Sequence, residues 1–413
     1  MKDKIIINSH CHIFNYDCLP QVFQSRYLKG FNHPTFLRVF LTFFNNWLDE
    51  DDVFDRMRKL LKIAQKESLI DVAEMLLKES RDILVDHRII YTPLMMDFEF
   101  GMGPVSDTNK PAQKTFEEQV NETTDVSLEY PGTFLPFIAA DPRRIQQCKD
   151  KKDPNDAHGI RYITDALENN GFWGVKIYPP LGYKASHINL SPLYEYCERN
   201  HTPVTAHCLL GGGYSNEQVP EQFSTEKDKR TYWREMAHPK YWRQVLDDFP
   251  ELKLNLGHFG GDIYEGPLDF LWEEQNQISI EREWREAVVT LMEDFDNVYA
   301  DISFHEPIFY DSQKYFADLK NYMDAEKLGK KILFGSDWWV NRVLLSETQY
   351  ITHFLRLSKK HGFNESNVRS IMADNAIAFL GLDAPNSGPF QNHQNFMQRK
   401  DKRFPGWFRD SFL

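Results

Sequence analysis

Short apolar runs alternate along the chain with longer stretches in which apolar residues recur every three or four positions. The runs are Ile5 to His10 (IIINSH), Ile89 to Met96, Thr133 to Ala140, Trp173 to Pro179, Pro203 to Cys208, Lys253 to Gly260, Val298 to Ser303 and Lys331 to Asp337. Their length and β-branched content suit buried strands. Helical spacing appears between them at 156–169, 240–249, 281–295, 314–323 and 347–360. Eight strand–helix units over this length predict an α/β fold of the (β/α)8 TIM barrel type, in which parallel strands point their C-terminal ends at one pocket. The competing architecture is a doubly wound open sheet, and its glycine-rich phosphate turn is missing after the first strand.

Two stretches exceed what the barrel needs: a helical insertion at about 27–86 after the first strand, and a long loop from Leu209 to Glu235 after the fifth. Both follow C-terminal strand ends, so both are placed to cover the pocket. Gly211, Gly212 and Gly213 give the second one backbone freedom. Within the first, Phe36, Phe40, Phe43, Phe44 and Trp47 recur at helical spacing, which predicts a buried helix, an apolar lid or a homodimer contact. This stretch, Phe36 to Leu48, is 13 residues long and carries Arg38, Asn45 and Asn46, too short and too polar to span a membrane. The barrel domain is assigned to 1–383, and the tail 384–413 is expected to be irregular and to pack on the barrel or a partner subunit. No solenoid repeat or low-complexity tract interrupts the chain.

Composition narrows the function. An aromatic content of 14% marks a folded globular protein. A formal charge of -13, from 48 Lys+Arg against 61 Asp+Glu, argues against nucleic-acid and anionic-membrane partners and leaves a small-molecule substrate. The five cysteines are scattered without a CxxC pair, which suits free thiols in a reducing compartment. No long apolar leader precedes the first strand, and the expected location is cytoplasmic.

The chemistry sits at strand ends. His10 and His12 are two apart on one strand, so both point to one face while Cys11 turns away. His207 closes the fifth run, His258 the sixth and Asp337 the eighth. In a barrel these five groups meet. Three imidazoles and a carboxylate suit a borderline divalent ion such as zinc, with a water completing its shell. The ion's charge would acidify that water, and Asp337 would take its proton. His258 would be a further ligand or the imidazole that polarises the substrate oxygen. Lys176, near the end of the fourth strand, would offer an ammonium to a substrate carboxylate or oxyanion, or form an internal salt bridge. Tyr178, Asp97, Asp141, Arg143, His305, Trp338, Trp339 and Arg342 also follow strand ends. Of these, Tyr178, Arg143, His305 and Trp338 join Lys176 as expected substrate contacts. Arg143 and Arg342 carry guanidinium forks suited to a carboxylate, and by strand parity one of Trp338 and Trp339 faces the pocket.

In order along the chain, HCH at 10–12, GVKIYPP at 174–180, AHC at 206–208, GHFGG at 257–261, LFGSDWW at 333–339 and DNAIAFLGL at 374–382 resemble the amidohydrolase superfamily. The wording is most similar to its branch that includes aminocarboxymuconate-semialdehyde decarboxylase and resorcylate decarboxylase. The resemblance implies that His10, His12, His207 and Asp337 hold one divalent ion, with His258 and Asp337 catalytic. Zn2+ is the ion expected, with Mn2+ and Fe2+ as alternatives. Some superfamily members instead use a carboxylated lysine, here Lys176, to bridge two ions, His207 and His258 then binding the second. This sequence has Asn8 where an Asp is usual two residues before the first His. The function implied is a metal-dependent hydrolase that directs an activated water at an amide, ester or lactone carbonyl of a small organic substrate. The alternative is a metal-dependent decarboxylase of an aromatic or unsaturated acid. A barrel kept only for ligand binding should have lost at least one of the five groups, and none is missing.

Overall fold

Among the described residues, eight parallel strands stand where the apolar runs stand: β1 (Lys4–Cys11), β2 (His87–Pro93), β3 (Phe137–Ala140), β4 (Gly174–Ile177), β5 (Val204–His207), β6 (Leu254–Gly257), β7 (Val298–Asp301) and β8 (Ile332–Leu333). The computed structural model describes residues 4–20, 62–63, 66–99, 112–212, 215, 219–223, 225–264, 277–305, 308, 311–342 and 345–413. β1 pairs with β2, and β3 to β8 pair in sequence order. Bridges Tyr91–Phe134 and Leu94–Phe137 join β2 to the start of β3. On the other side Ser9 N donates to Phe334 O at 2.9 Å and Asp337 N to His10 O at 2.8 Å, which ties β1 to the segment after β8. Together these contacts carry the pairing round a TIM barrel.

The strands read as continuous apolar runs because both their faces are covered, one by the barrel interior and one by helices. Ile6 and Ile7 of β1, on opposite faces, are both buried. The five helical patterns appear as Arg161–Asn169, Lys240–Asp248, Gln277–Asp294, Gln313–Asp324 and Glu347–Lys360. The first begins later than its sequence pattern because residues 156–159 form a turn that ends at Gly159, φ 72°. Among the described residues, no helix is long and apolar enough to cross a membrane.

Three segments differ from expectation or escape it. The tail is not irregular: it forms helices Gly388–Arg399 and Gly406–Phe412. Phe390, His393, Phe396 and Met397 make one buried helical face, a period obscured in the sequence by the surrounding prolines and basic residues. Phe390, Phe404, Phe408 and Phe412 pack with Leu135, Phe137, Trp173 and Tyr299, residues near the strand starts, so the tail covers that end of the barrel. The loop after β5 holds a helix, Glu226–Arg234, begun by a Thr225–Asp228 capping box. Of the insertion after β1, helix Leu69–Glu79 is described, again with a capping box, Ser68–Asp71. The aromatic stretch Phe36 to Leu48 and Gly213 lie outside the described residues.

Candidate metal centre

The strand ends deliver five donors to one place. His10, His12, His207, His258 and Asp337 are all buried. The imidazole centroids of His10 and His258 are 4.6 Å apart and those of His207 and His258 4.8 Å. His12 Nε2 lies 3.6 Å from Asp337 Oδ1. The ligand atoms of His10, His258 and Asp337 all fall within 4.8 Å of one another, a grouping that takes in His258 but neither His12 nor His207 of the four residues expected to hold the ion.

Each imidazole spends one ring nitrogen on a protein acceptor. His10 Nδ1 meets Asp301 Oδ2 at 2.9 Å, and His12 Nδ1 meets Leu94 O at 2.7 Å. His207 Nε2 meets Gly211 O at 3.1 Å, and His258 Nδ1 meets Ser303 O at 3.2 Å. A carbonyl or carboxylate accepts only, so in each pair the imidazole must donate, and the tautomer follows from the partner. The opposite nitrogen is then a bare lone pair. His207 Nδ1 and His258 Nε2, both bare, face each other at 3.2 Å. His10 Nε2 and Asp337 Oδ1 are buried with no hydrogen-bond partner among the described residues. Bare lone pairs set this close to one another and to a carboxylate oxygen repel unless a cation sits between them. The donor set fits a divalent ion of the borderline class, and a second nitrogen held by a carbonyl or carboxylate is the usual mark of a metal-ligating histidine.

Burial pushes His12, His207 and His258 well below the ordinary imidazole range, with neighbouring imidazoles and Lys176 adding to the effect, which keeps the rings neutral. Burial raises the Asp337 carboxyl, while His10 and Lys176 pull it back.

Local backbone chemistry makes the convergence possible. His258 (φ 64°) and Asp337 (φ 50°) occupy the left-handed region, which is strained for residues with a Cβ and clusters at functional sites. The sharp turn aims His258 inward directly after β6, and Asp337 in the segment that follows β8. Two glycines clear room for His10. A Cβ at Gly335 would lie 2.7 Å from His10 Cβ, and one at Gly257 2.9 Å from His10 Cε1. These are the glycines of the Gly-Ser-Asp and Gly-His pairs.

Asp301, which ends β7, went unnoticed in the sequence although it occupies the same strand-terminal position as the other five groups. Its Oδ2 accepts from His10 Nδ1 and from Asn255 Nδ2 at 2.7 Å, and its Oδ1 accepts from His258 N and Ser303 N, each at 3.1 Å. Burial alone would raise this carboxyl, but His10, His258 and Ser303 more than reverse that and hold it well below the usual range. Asn8 also acquires a reason. Its Oδ1 accepts from His10 N at 3.2 Å and Ser336 N at 3.1 Å, while its Nδ2 donates to Ser336 Oγ at 2.6 Å and Glu347 Oε1 at 2.8 Å. A carboxylate could not make the two donations.

The expected substrate contacts divide. Lys176 is buried, its Nζ has no hydrogen-bond partner among the described residues, and burial draws its pKa down to about 8 against the pull of Asp301 and Asp337. It lines a cleft with Met95, Met96, Ala139, Ala140 and Tyr178. The Tyr178 ring lies against His207, centroids 4.4 Å apart. The others are engaged elsewhere. Arg143 closes on Asp141 through Nε at 2.9 Å and Nη2 at 2.7 Å, and Arg144 does the same to Asp97. His305 uses both ring nitrogens, Nδ1 on Tyr315 Oη at 3.1 Å and Nε2 on His258 O at 3.0 Å, so it braces the β6 turn instead of facing substrate. Trp338 Nε1 donates to Glu79 Oε2 at 2.9 Å and Trp339 Nε1 to Phe14 O at 2.9 Å. Both tryptophans sit on a short helix, Trp338–Asn341, where strand parity does not apply. Arg342 Nε pairs with Glu79 Oε1 at 2.6 Å.

Residues 84–382, well over half of the 413-residue chain, match the family model described as Amidohydrolase. A sequence comparison with curated proteins found no match. Among solved structures the chain is similar to 5-carboxyvanillate decarboxylase from Novosphingobium aromaticivorans, determined with manganese and 4-hydroxy-3-methoxy-5-nitrobenzoic acid. That likeness has a TM-score of 0.51 at 11% identity and covers 92% of this chain and 97% of that one. An uncharacterised TIM-barrel protein from Bordetella bronchiseptica gives 0.48 at 16% identity, over 91% and 99% of the two chains. A putative 2-pyrone-4,6-dicarboxylic acid hydrolase from Pseudomonas putida gives 0.44 at 13%, over 91% and 97%. At such identities a likeness speaks for the fold alone, and the first of the three carries it.

Proposed function

The chain belongs to the amidohydrolase family, and from that premise we propose that it is a metal-dependent hydrolase that cleaves an acyl bond in a small anionic organic substrate. The observation that supports this most is the set of bare imidazole nitrogens, each fixed by an acceptor behind it, converging with Asp337 Oδ1. His10, His12, His207 and Asp337 would hold the ion. A divalent ion there supplies Lewis acidity toward a substrate oxygen and lowers the pKa of a water. His258 Nε2, with its lone pair turned inward, takes the proton of the attacking water, or Asp337 Oδ1 does, and returns it to the leaving group. Asp301 holds His10 and the His258 backbone in register throughout. Lys176 offers its buried ammonium to a substrate carboxylate, with Tyr178, Met95 and Met96 against the substrate's body.

A second reading, decarboxylation of an aromatic or unsaturated acid, is favoured by the same buried ammonium, which has no hydrogen-bond partner among the described residues. Once the carbon that bears it is protonated, the C–C bond to a carboxylate drawn to Lys176 can break and the carboxylate leaves as carbon dioxide. The 5-carboxyvanillate decarboxylase of similar fold acts on such a molecule by its name.

Elemental mass spectrometry on protein purified without chelator tests the metal site. About one ion per chain is expected, lost in His10→Ala and kept in Lys176→Ala. No ion after incubation with Zn2+ or Mn2+ would overturn the reading, and two ions falling to one or none in Lys176→Ala would point to a lysine-bridged pair. The loaded enzyme is then assayed on lactones, esters, amides and aromatic carboxylates, with acyl cleavage and carbon dioxide both followed. Carbon dioxide release without acyl cleavage moves the assignment to the decarboxylase.

A further inference from the structure

Asp337 stands at a strained turn of the site, where its backbone donates to His10 O and accepts from Val340 N and Asn341 N. Its backbone is left-handed (φ 50°, ψ 46°), and it precedes a helix of only four residues, Trp338–Asn341. Such a turn persists only where its surroundings over-determine it. The surroundings include a residue from far away in the sequence. Glu79 is the last residue of helix Leu69–Glu79, in the segment inserted between β1 and β2. Its Oε2 accepts from Trp338 Nε1 at 2.9 Å and its Oε1 from Arg342 Nε at 2.6 Å, while its backbone carbonyl accepts from Thr348 Oγ1 at 2.5 Å. One carboxylate thus grips the residue after Asp337 and the residue that caps the short helix, Arg342.

Glu79 does nothing for its own helix. A negative charge at a helix C-terminus opposes the partial negative charge there, and an acidic residue is disfavoured at that end. A local rule broken without local gain is a feature of functional positions. The gain lies across the pocket: the Arg342 side chain is 5% exposed and that of Glu79 17%, so the ion pair is shielded from water and holds its geometry. Trp338 is 1% exposed, and the Arg342 guanidinium lies 5.8 Å from its ring centroid.

We propose that Glu79 is a positioning residue for Asp337, through which the inserted segment sets the geometry of the metal site. The inference rests on the reading that Asp337 helps to hold the ion. Residues that orient metal ligands affect metal affinity by about 10- to 100-fold.

The test compares Glu79→Ala and Glu79→Gln with Asp71→Ala, which loosens the other end of the same helix by removing half of its capping box. Zn2+ affinity is read by chelator competition, and the visible spectrum of the Co2+-loaded protein reports ligand geometry. Glu79→Ala is expected to bind Zn2+ at least tenfold more weakly and to alter the Co2+ spectrum. Glu79→Gln, which keeps an oxygen for Trp338 Nε1, should recover part of both, and Asp71→Ala should match the wild type. Wild-type affinity in Glu79→Ala overturns the inference, as does an equal loss in Asp71→Ala, since either makes Glu79 at most a stabiliser of its helix. If Glu79→Ala does not fold, Glu79→Gln against Asp71→Ala decides by the same criteria. Wild-type protein that binds neither ion overturns the underlying metal reading, a result separate from either variant outcome.

Discussion

Four imidazoles of one chemical type take fixed orientations here because each is anchored by a different acceptor, and the same economy governs the buried carboxyl behind them. Glu347 opens helix Glu347–Lys360 and accepts from Asn8, which in turn holds the backbone of His10. Its pKa rises from 4.5 to about 7: burial raises it most, hydrogen bonds from Ser336 and Asn8 oppose the rise, and Glu79 adds to it. Cys11, Tyr91 and Tyr350, whose own protons Glu347 helps to retain, are its other titratable neighbours. The sign follows from proton counts. Between pH 4.5 and about 7 the native state keeps a proton that the unfolded chain releases, so stability is full at the acid end and falls as pH rises through that window. The shift corresponds to about 3 kcal/mol. Glu347→Gln has no such proton to lose. Urea unfolding should therefore find it close to wild type at pH 5 and more stable, by up to about 3 kcal/mol, at pH 8. Parallel pH curves for the two proteins would show that Glu347 is ionised in the native state. His10, His12, His207, His258 and Asp337 were legible in the sequence because a strand end is a position that local pattern reveals. Glu79 and Glu347 were not. Their partners lie 259 and 339 residues away, and no periodicity encodes a contact of that range.

At the level of elements, the eight strands were readable because burial on both faces makes each one an unbroken apolar run bounded by turns. The C-terminal helices were not, since their apolar faces are aromatic and their purpose is tertiary. Phe408 is fully buried, 4.3 Å from the Phe404 ring centroid and 4.8 Å from that of Phe412. Its ring also fills the space above Gly132, where a Cβ would come within 2.8 Å of it. This is core packing at the end of the barrel remote from the metal site, so the two should be separable. Phe408→Ala is expected to lower the denaturant midpoint in keeping with about 3–5 kcal/mol, the usual range for a buried Phe. Metal content should stay unchanged. A loss below about 1 kcal/mol would mean that the tail docks on a barrel already stable without it.

For the whole molecule, charge acts with opposite signs near and far. Around the pocket Asp97 is paired with Arg144 and Asp141 with Arg143, so these four cancel. Lys176 and the proposed divalent ion would outweigh Asp301 and Asp337 at contact, which would favour an anion once it has arrived. From a distance, an anion meets a chain of formal charge -13. Repulsion of this kind reaches about 30 Å at 0.01 M salt and about 8 Å at 0.15 M. Salt therefore removes the opposing long-range field while leaving the buried contact with Lys176 largely intact. For a carboxylate substrate, kcat/KM should rise several-fold between 10 mM and 150 mM salt, and for a neutral ester or lactone it should stay flat. Lys176→Met should depress kcat/KM for the carboxylate at both salt concentrations while preserving its upward trend. A kcat/KM that falls with salt would show that the positive site projects beyond the mouth and steers the substrate in, and would place the acidic residues away from the approach.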